Sequence, residues 1–248
     1  MTDGTHRPTL RTLLSQEVPL IAASFTDRTS DDHLHRARAQ GLDVAEIRVD
    51  RFSHLDGLTT QLRRFQALPT VATIRIEAEG GDWSRSEAER RAAFSAVIPE
   101  VDAIDIELTA TEIRSDVISE AKSADRVVIV SQHNFNATAS DAEMVDAVAQ
   151  AKEAGADLVK LSMWATSSRD VRQLATFTAA HGNEGLITIA MGPLGGLSRV
   201  FFPALGSRIT YAFIDGPSAP GQLAFADTFD QLRRFYPDFD AKKAAELA

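Results

Sequence analysis

Short apolar runs return along this chain at an almost even spacing. They occupy residues 19–24, 44–49, 71–76, 103–108, 127–131, 157–162, 186–191 and 209–214, eight in all. Their starts lie roughly 23 to 32 residues apart, about the length of one strand–helix unit. Most are rich in Val and Ile, as strands buried on both faces are. The segments between them carry helix signals. Residues 84–98 open with Ser84 followed by Glu87, and residues 140–154 with Ser140 followed by Glu143, a pattern that caps a helix start. Residues 31–40, 59–67, 111–123 and 168–180 fit the same role, and Gly41, Gly155 and Gly182 fall where such helices should stop.

Eight strands alternating with helices in 248 residues predict a single (β/α)8 TIM barrel domain, residues 1–248. A doubly wound open sheet is the competing arrangement, but it usually shows a glycine-rich turn after its first strand. Here that position holds Thr26, Asp27, Arg28 and Thr29. Residues 1–18 precede the first strand and are expected to form a hairpin or a cap over the barrel floor.

With 26 basic and 35 acidic residues the net charge is −9, which speaks against a nucleic-acid binder. Cysteine is absent, so disulfides, thiolate metal sites and cysteine nucleophiles are excluded. No HExxH stretch or helical histidine pair is present, and Arg and Lys intrude among the carboxylates, so neither a metal nor a cofactor is expected. Residues 1–14 lack the apolar core of a signal peptide. The longest uncharged stretch, 185–198, is about 14 residues, too short for a bilayer. The expectation is a cytoplasmic protein that acts on a small molecule, without nucleic acid or membrane as a partner.

Side chains alternate between the faces of a strand. Glu46, Arg48 and Asp50 share one face of the second run, with Ala45, Ile47 and Val49 on the other. The third run aligns Thr73 with Arg75, the fourth Asp105 with Glu107, the fifth Ser131 with His133 just past the strand end, and the sixth Leu158, Lys160 and Ser162. The aliphatic face must meet the helices, so the ionisable face looks into the barrel. It gathers at the C-terminal strand ends, where barrel enzymes place their active sites. The alternative is an ion-pair network that fills the upper barrel, with Lys160 paired to Glu46 or Glu107.

Lys160 stands out, because a lysine in a parallel strand is expensive unless its amine is used. Burial with Arg48 or Arg75 nearby would favour the neutral amine that imine formation needs. His133 beside such a lysine can exchange protons near neutral pH. The other histidines, His6, His33, His35, His54 and His181, fall in the tail, helices and loops. Arg199, at the opening of a helix after the glycine-rich stretch 191–198, suggests an anion site or else a solvated turn arginine. The loop 215–222, dense in Gly and Pro, reads as a lid or a plain connection.

Together these stretches resemble type I 3-dehydroquinate dehydratase. The resemblance runs from Glu46 to Gln222 and is carried by residues 46–50, 75–81, 131–135, 157–160, 191–199 and 218–222, in the family's order. It implies a metal-free barrel in which Lys160 forms a Schiff base with the C3 ketone of 3-dehydroquinate. It implies His133 as general base and then acid for a syn elimination of water, oriented by Glu79, giving 3-dehydroshikimate. By the same resemblance Arg199 would clamp the substrate carboxylate with Ser218 and Gln222. Glu46, Arg48 and Arg75 would hold ring hydroxyls, Met191 would pack against the ring, and the chain would form a homodimer. Two positions depart from the family pattern, Ile76 in place of a small hydroxyl residue and the run after Lys160, which lacks a proline. The rival readings are a class I aldolase, which would share the lysine but bind a phosphate, and a catalytically silent small-molecule-binding barrel.

Overall fold

In this computed structural model the described residues are 7–214, 216 and 221–247. The strands are β1 (Leu20–Phe25), β2 (Val44–Arg48), β3 (Thr70–Thr73), β4 (Ala103–Glu107), β5 (Val127–Asn134), β6 (Leu158–Trp164), β7 (Leu186–Met191) and β8 (Ile209–Ala212). From β1 to β7 each strand pairs in parallel with the next, and β8 pairs in parallel with β1. The seam between β7 and β8 is closed from the N-terminal side. There Arg208 N donates to the Leu186 carbonyl at 2.8 Å and Thr188 N to Ser207 Oγ at 3.0 Å. The predicted TIM barrel is the observed fold.

The helices are α1 (Leu10–Leu14), α2 (Asp31–Ala39), α3 (Leu58–Arg63), α4 (Glu87–Val97), α5 (Arg114–Ser123), α6 (Asp141–Glu153), α7 (Ser168–Ala180), α8 (Gly196–Phe201), α9 (Phe225–Phe235) and α10 (Pro237–Glu246). None is long and apolar enough to cross a membrane among the described residues. Helix α6 starts as predicted, with Ser140 and Glu143 capping each other's backbone. Helix α4 starts later than predicted. Its capping pair is Ser86 with Glu89, not Ser84 with Glu87. Two overlapping cap patterns compete in sequence. A bridge between Ile76 and Trp83 holds the chain before Ser86 out of the helix.

Strand alternation sorts the apolar residues into two layers. Ala45, Ile47, Ile104, Ile106, Val128, Val130, Val159 and Leu161 point outward to the helices. Leu20, Ala22, Val44, Val71, Ala103, Ile187 and Ile209 fill the lower barrel. Helix α1 closes this inner layer from below by inserting Leu10 and Leu13, so the described part of the N-terminal segment is a helical cap and not a hairpin. Arg7 pairs with Asp102 at 2.8 Å and the Arg208 side chain donates to the Leu14 carbonyl, fixing both ends of the cap.

The lower barrel is therefore an apolar plug that leaves only its upper end for polar chemistry. Leu10 is fully buried. Leu10→Ala is expected to cost about 2–5 kcal/mol of stability, read by urea denaturation.

Candidate active site

The inward-facing side chains of the upper barrel surround a cavity of about 520 Å³, its mouth included. Glu46, Arg48, Arg75, Glu79, His133, Lys160, Met191, Arg199 and Gln222 all line it. Ser218 lies outside the described residues.

Lys160 projects from the middle of β6, where its neighbours in register are Ser131 and Ile187. Its Nζ lies 3.1 Å from Asp105 Oδ2 and 3.6 Å from Glu46 Oε1, and 4.0 Å from the centre of the Tyr211 ring. The charges nearest the amine are thus carboxylates, contrary to the expectation of arginines. Both arginines are engaged elsewhere. Arg48 makes a bidentate pair with Asp50 at 2.7 and 3.0 Å. Arg75 reaches Asp105 at 2.7 Å, Ser131 Oγ at 2.8 Å and Glu107 at 3.1 Å. Glu107, expected as a partner of Lys160, instead binds Arg75 and, at 2.9 Å, the fully buried Arg90 of α4.

Burial alone would push the Asp105 carboxyl up. Arg75 and Lys160 reverse this and hold it well below the usual carboxylate range. Glu46 is likewise lowered against burial by Lys160 and Arg48, and it accepts from Ser24 Oγ at 2.5 Å and Thr73 Oγ1 at 3.1 Å. Both carboxylates are therefore fixed counter-charges at the lysine.

His133 belongs to β5, which continues to Asn134 where sequence suggested an end at Ser131. The extension pairs His133 with Ser162 and Asn134 with Met163 of β6. Glu79 Oε2 accepts from the His133 backbone N at 2.9 Å and lies 3.0 Å from its Nδ1. Glu79 Oε1 accepts from Thr109 at 2.5 Å. A carboxylate placed there assigns the proton to Nδ1 and leaves Nε2 with its lone pair. Burial, with Arg75 and Lys160 nearby, pushes His133 well below the ordinary 6.5, so the ring is neutral at pH 7.

A tight turn after β3 delivers Glu79. Gly80 adopts φ +76, and a Cβ there would sit 2.4 Å from Phe135. At Gly81 a Cβ would fall 1.9 Å from the Arg75 carbonyl oxygen, so the chain can fold back beside Arg75 only without a side chain. The departure at Ile76 is absorbed by the backbone, since its N donates to Glu107 at 3.0 Å.

Arg199, on α8, is 2% exposed and has no carboxylate within ion-pair distance among the described residues. Burial draws it down to about 10, still a cation at neutral pH. The other buried cations, Arg48, Arg75, Arg90, Lys160 and Lys243, each hold a carboxylate. A buried guanidinium that lines a cavity without a carboxylate partner can receive an anion. Met191 adds an apolar wall beside Ile189.

The strand reading missed Tyr211, which lines the cavity from β8. It fell in an apolar run, yet it shares its face with Ile209, and that alternation was the available signal.

The lowered His133 has a sign that can be tested. Near pH 6.5 the unfolded chain takes up a proton that the folded chain refuses until well below that value. His133 therefore costs stability progressively as pH falls below about 6.5, by at most about 1.4 kcal/mol per pH unit. Against wild type, His133→Asn should gain relative stability between pH 7 and pH 5 in urea denaturation.

A model of the type I 3-dehydroquinase family matches residues 18–237. The chain is 38% identical to a 3-dehydroquinate dehydratase of Methanosarcina barkeri over 76% of this chain and 83% of that one. It is 32% identical to one of Methanococcoides burtonii over 86% and 92%. Among solved structures it is similar to 3-dehydroquinate dehydratase from Geobacillus kaustophilus, with TM-score 0.81 and 29% identity over 88% and 92% of the two chains. It is also similar to the type I enzyme from Clostridium difficile, solved with covalently modified comenic acid, with TM-score 0.81 and 25% identity over 89% and 93%. With a family match over most of its length and relatives above 30% identity, the chain belongs to the type I 3-dehydroquinase family.

Proposed function

We propose that this chain dehydrates 3-dehydroquinate to 3-dehydroshikimate by syn elimination through a Lys160 Schiff base. The observation that carries this reading is one cavity holding a buried lysine amine, a neutral histidine and an arginine with no carboxylate partner among the described residues. Lys160 Nζ attacks the C3 carbonyl after passing one proton to a neighbouring base, and that proton returns to the C3 oxygen as it leaves as water, so that a protonated imine remains. Asp105 and Glu46 supply its counter-charge. The imine draws electrons from the neighbouring C2–H bond, and His133 Nε2 takes the proton. The electron pair forms an enamine and then expels the C1 hydroxyl, which leaves as water with the proton that His133 returns. Hydrolysis of the conjugated imine releases product and restores the amine.

Glu79 holds the His133 ring and stabilises its transient positive charge. Arg199 holds the carboxylate, with Gln222 at the same rim and Ser218 assigned to that role by the family resemblance alone. Arg48, Arg75 and Glu46 face the ring hydroxyls, and Met191 packs against the ring. No step needs a metal or cofactor. The reading includes a cytoplasmic location and a homodimer. Sequence offered no exposed apolar helix for a dimer, but Leu194, Leu197 and Phe201 around α8 are 42%, 62% and 45% exposed.

The test is intact-mass spectrometry after mixing the protein with 3-dehydroquinate and sodium borohydride. One reduced adduct should map to the peptide containing Lys160, and an unmodified mass with no enone absorbance in an untreated sample would overturn the reading. Lys160→Ala should lose both adduct and turnover. His133→Ala should keep the adduct and slow turnover by about 10²–10⁴-fold. Arg199→Ala should raise KM by about 10- to 100-fold, measured by steady-state enone formation.

A further inference from the structure

Tyr211 is 3% exposed, and its Oη has no hydrogen-bond partner among the described residues. Charged groups lie near it, yet none among the described residues accepts from or donates to its hydroxyl. It sits in the inner barrel layer with Leu20, Ala22, Ile189, Met191 and Ile209. A phenylalanine would pack there equally well and avoid desolvating a polar group. Buried tyrosines usually find a partner for their hydroxyl.

The residue also bridges two parts of the site. Its ring lies beneath Lys160 Nζ, 4.0 Å from the ring centre. The adjacent Thr210 donates Oγ1 to the Arg199 carbonyl at 2.8 Å, which fastens α8 against β8 beside Tyr211. Arg199 Nε is likewise buried without a partner. Both residues line the same cavity, each with a buried polar atom that lacks a partner among the described residues, and one of them is a cation.

We infer that Tyr211 is a substrate-binding residue whose phenol donates a hydrogen bond to the same carboxylate that Arg199 receives. This rests on the function proposed above. Burial and the nearby Glu46 and Asp105 keep the phenol protonated far above its ordinary range, so it acts as a donor and takes no part in proton transfer. Its ring serves the imine end of the substrate and its hydroxyl the carboxylate end. The orphaned hydroxyl destabilises the empty protein, and substrate supplies the missing partner.

The experiment compares full-length wild type with Tyr211→Phe, which keeps the ring and removes only the hydroxyl. Wild type is assayed first on 3-dehydroquinate, and absence of turnover there refutes the proposed function itself. If wild type is active, Tyr211→Phe should raise KM by about 10- to 100-fold, the range of a hydrogen bond to a charged group. Its kcat should change far less, and the melting temperature without substrate should stay level or rise. A merely structural hydroxyl would lower the melting temperature and leave KM in place. An unchanged KM, or a loss confined to kcat, overturns the inference. Tyr211→Leu, which also removes the platform under Lys160, should lower kcat in addition. If it matches Tyr211→Phe in both constants, the role given to the ring is wrong.

Discussion

A row of buried charges of alternating sign holds the upper barrel together. It runs from Arg90 on α4 through Glu107, Arg75 and Asp105 to Lys160 and ends at Glu46. Each carboxylate in the row before its end is shared by two cations, and Ser131, Thr73 and Ser24 take up further lone pairs. Taking such charges out of water is costly, and loss of one member strands its neighbours. The row can survive only because every ladder around it is rigid and parallel and the layer below it is dry. In return it fixes the Lys160 amine to within a hydrogen bond of Asp105.

Arg90 Nε in this row has no hydrogen-bond partner among the described residues, and beside the row further groups are unsatisfied. Arg199 carries a charge with no counter-ion among the described residues, and Tyr211 carries a hydroxyl with no partner there. A folded chain usually departs from complete pairing where it works, because a ligand can complete what the protein has left open. Neighbouring groups in one barrel thus divide the tasks. In the function proposed above, the paired ones set positions and the unpaired ones receive substrate.

His133 lies between these regimes. Its Nδ1 and backbone N are both tied to Glu79, while burial and the nearby Arg75, Lys160 and Arg48 keep the ring neutral. The resemblance implied Glu79 as its orienting partner, and the observed contact has that form. Strand alternation could not have supplied it, since Glu79 sits in a turn beyond β3 and reaches a residue 54 positions away.

The repeat of apolar runs determined the barrel, since a period-two strand pattern every strand–helix unit leaves little choice of architecture. The same alternation placed Glu46, Arg48, Arg75, Asp105, His133 and Lys160 inside it, because facing is a local property of a strand. Partnership is not local. That Lys160 meets Asp105 across 55 positions of sequence, that Glu107 serves Arg75 and Arg90, and that Arg199 Nε and Tyr211 Oη find no hydrogen-bond partner among the described residues were decided by tertiary structure. Strand register and the seating of the surrounding helices set those distances. Overlapping signals, such as the two cap patterns before α4 and the early end expected for β5, were also settled there, by contacts that a linear pattern does not contain.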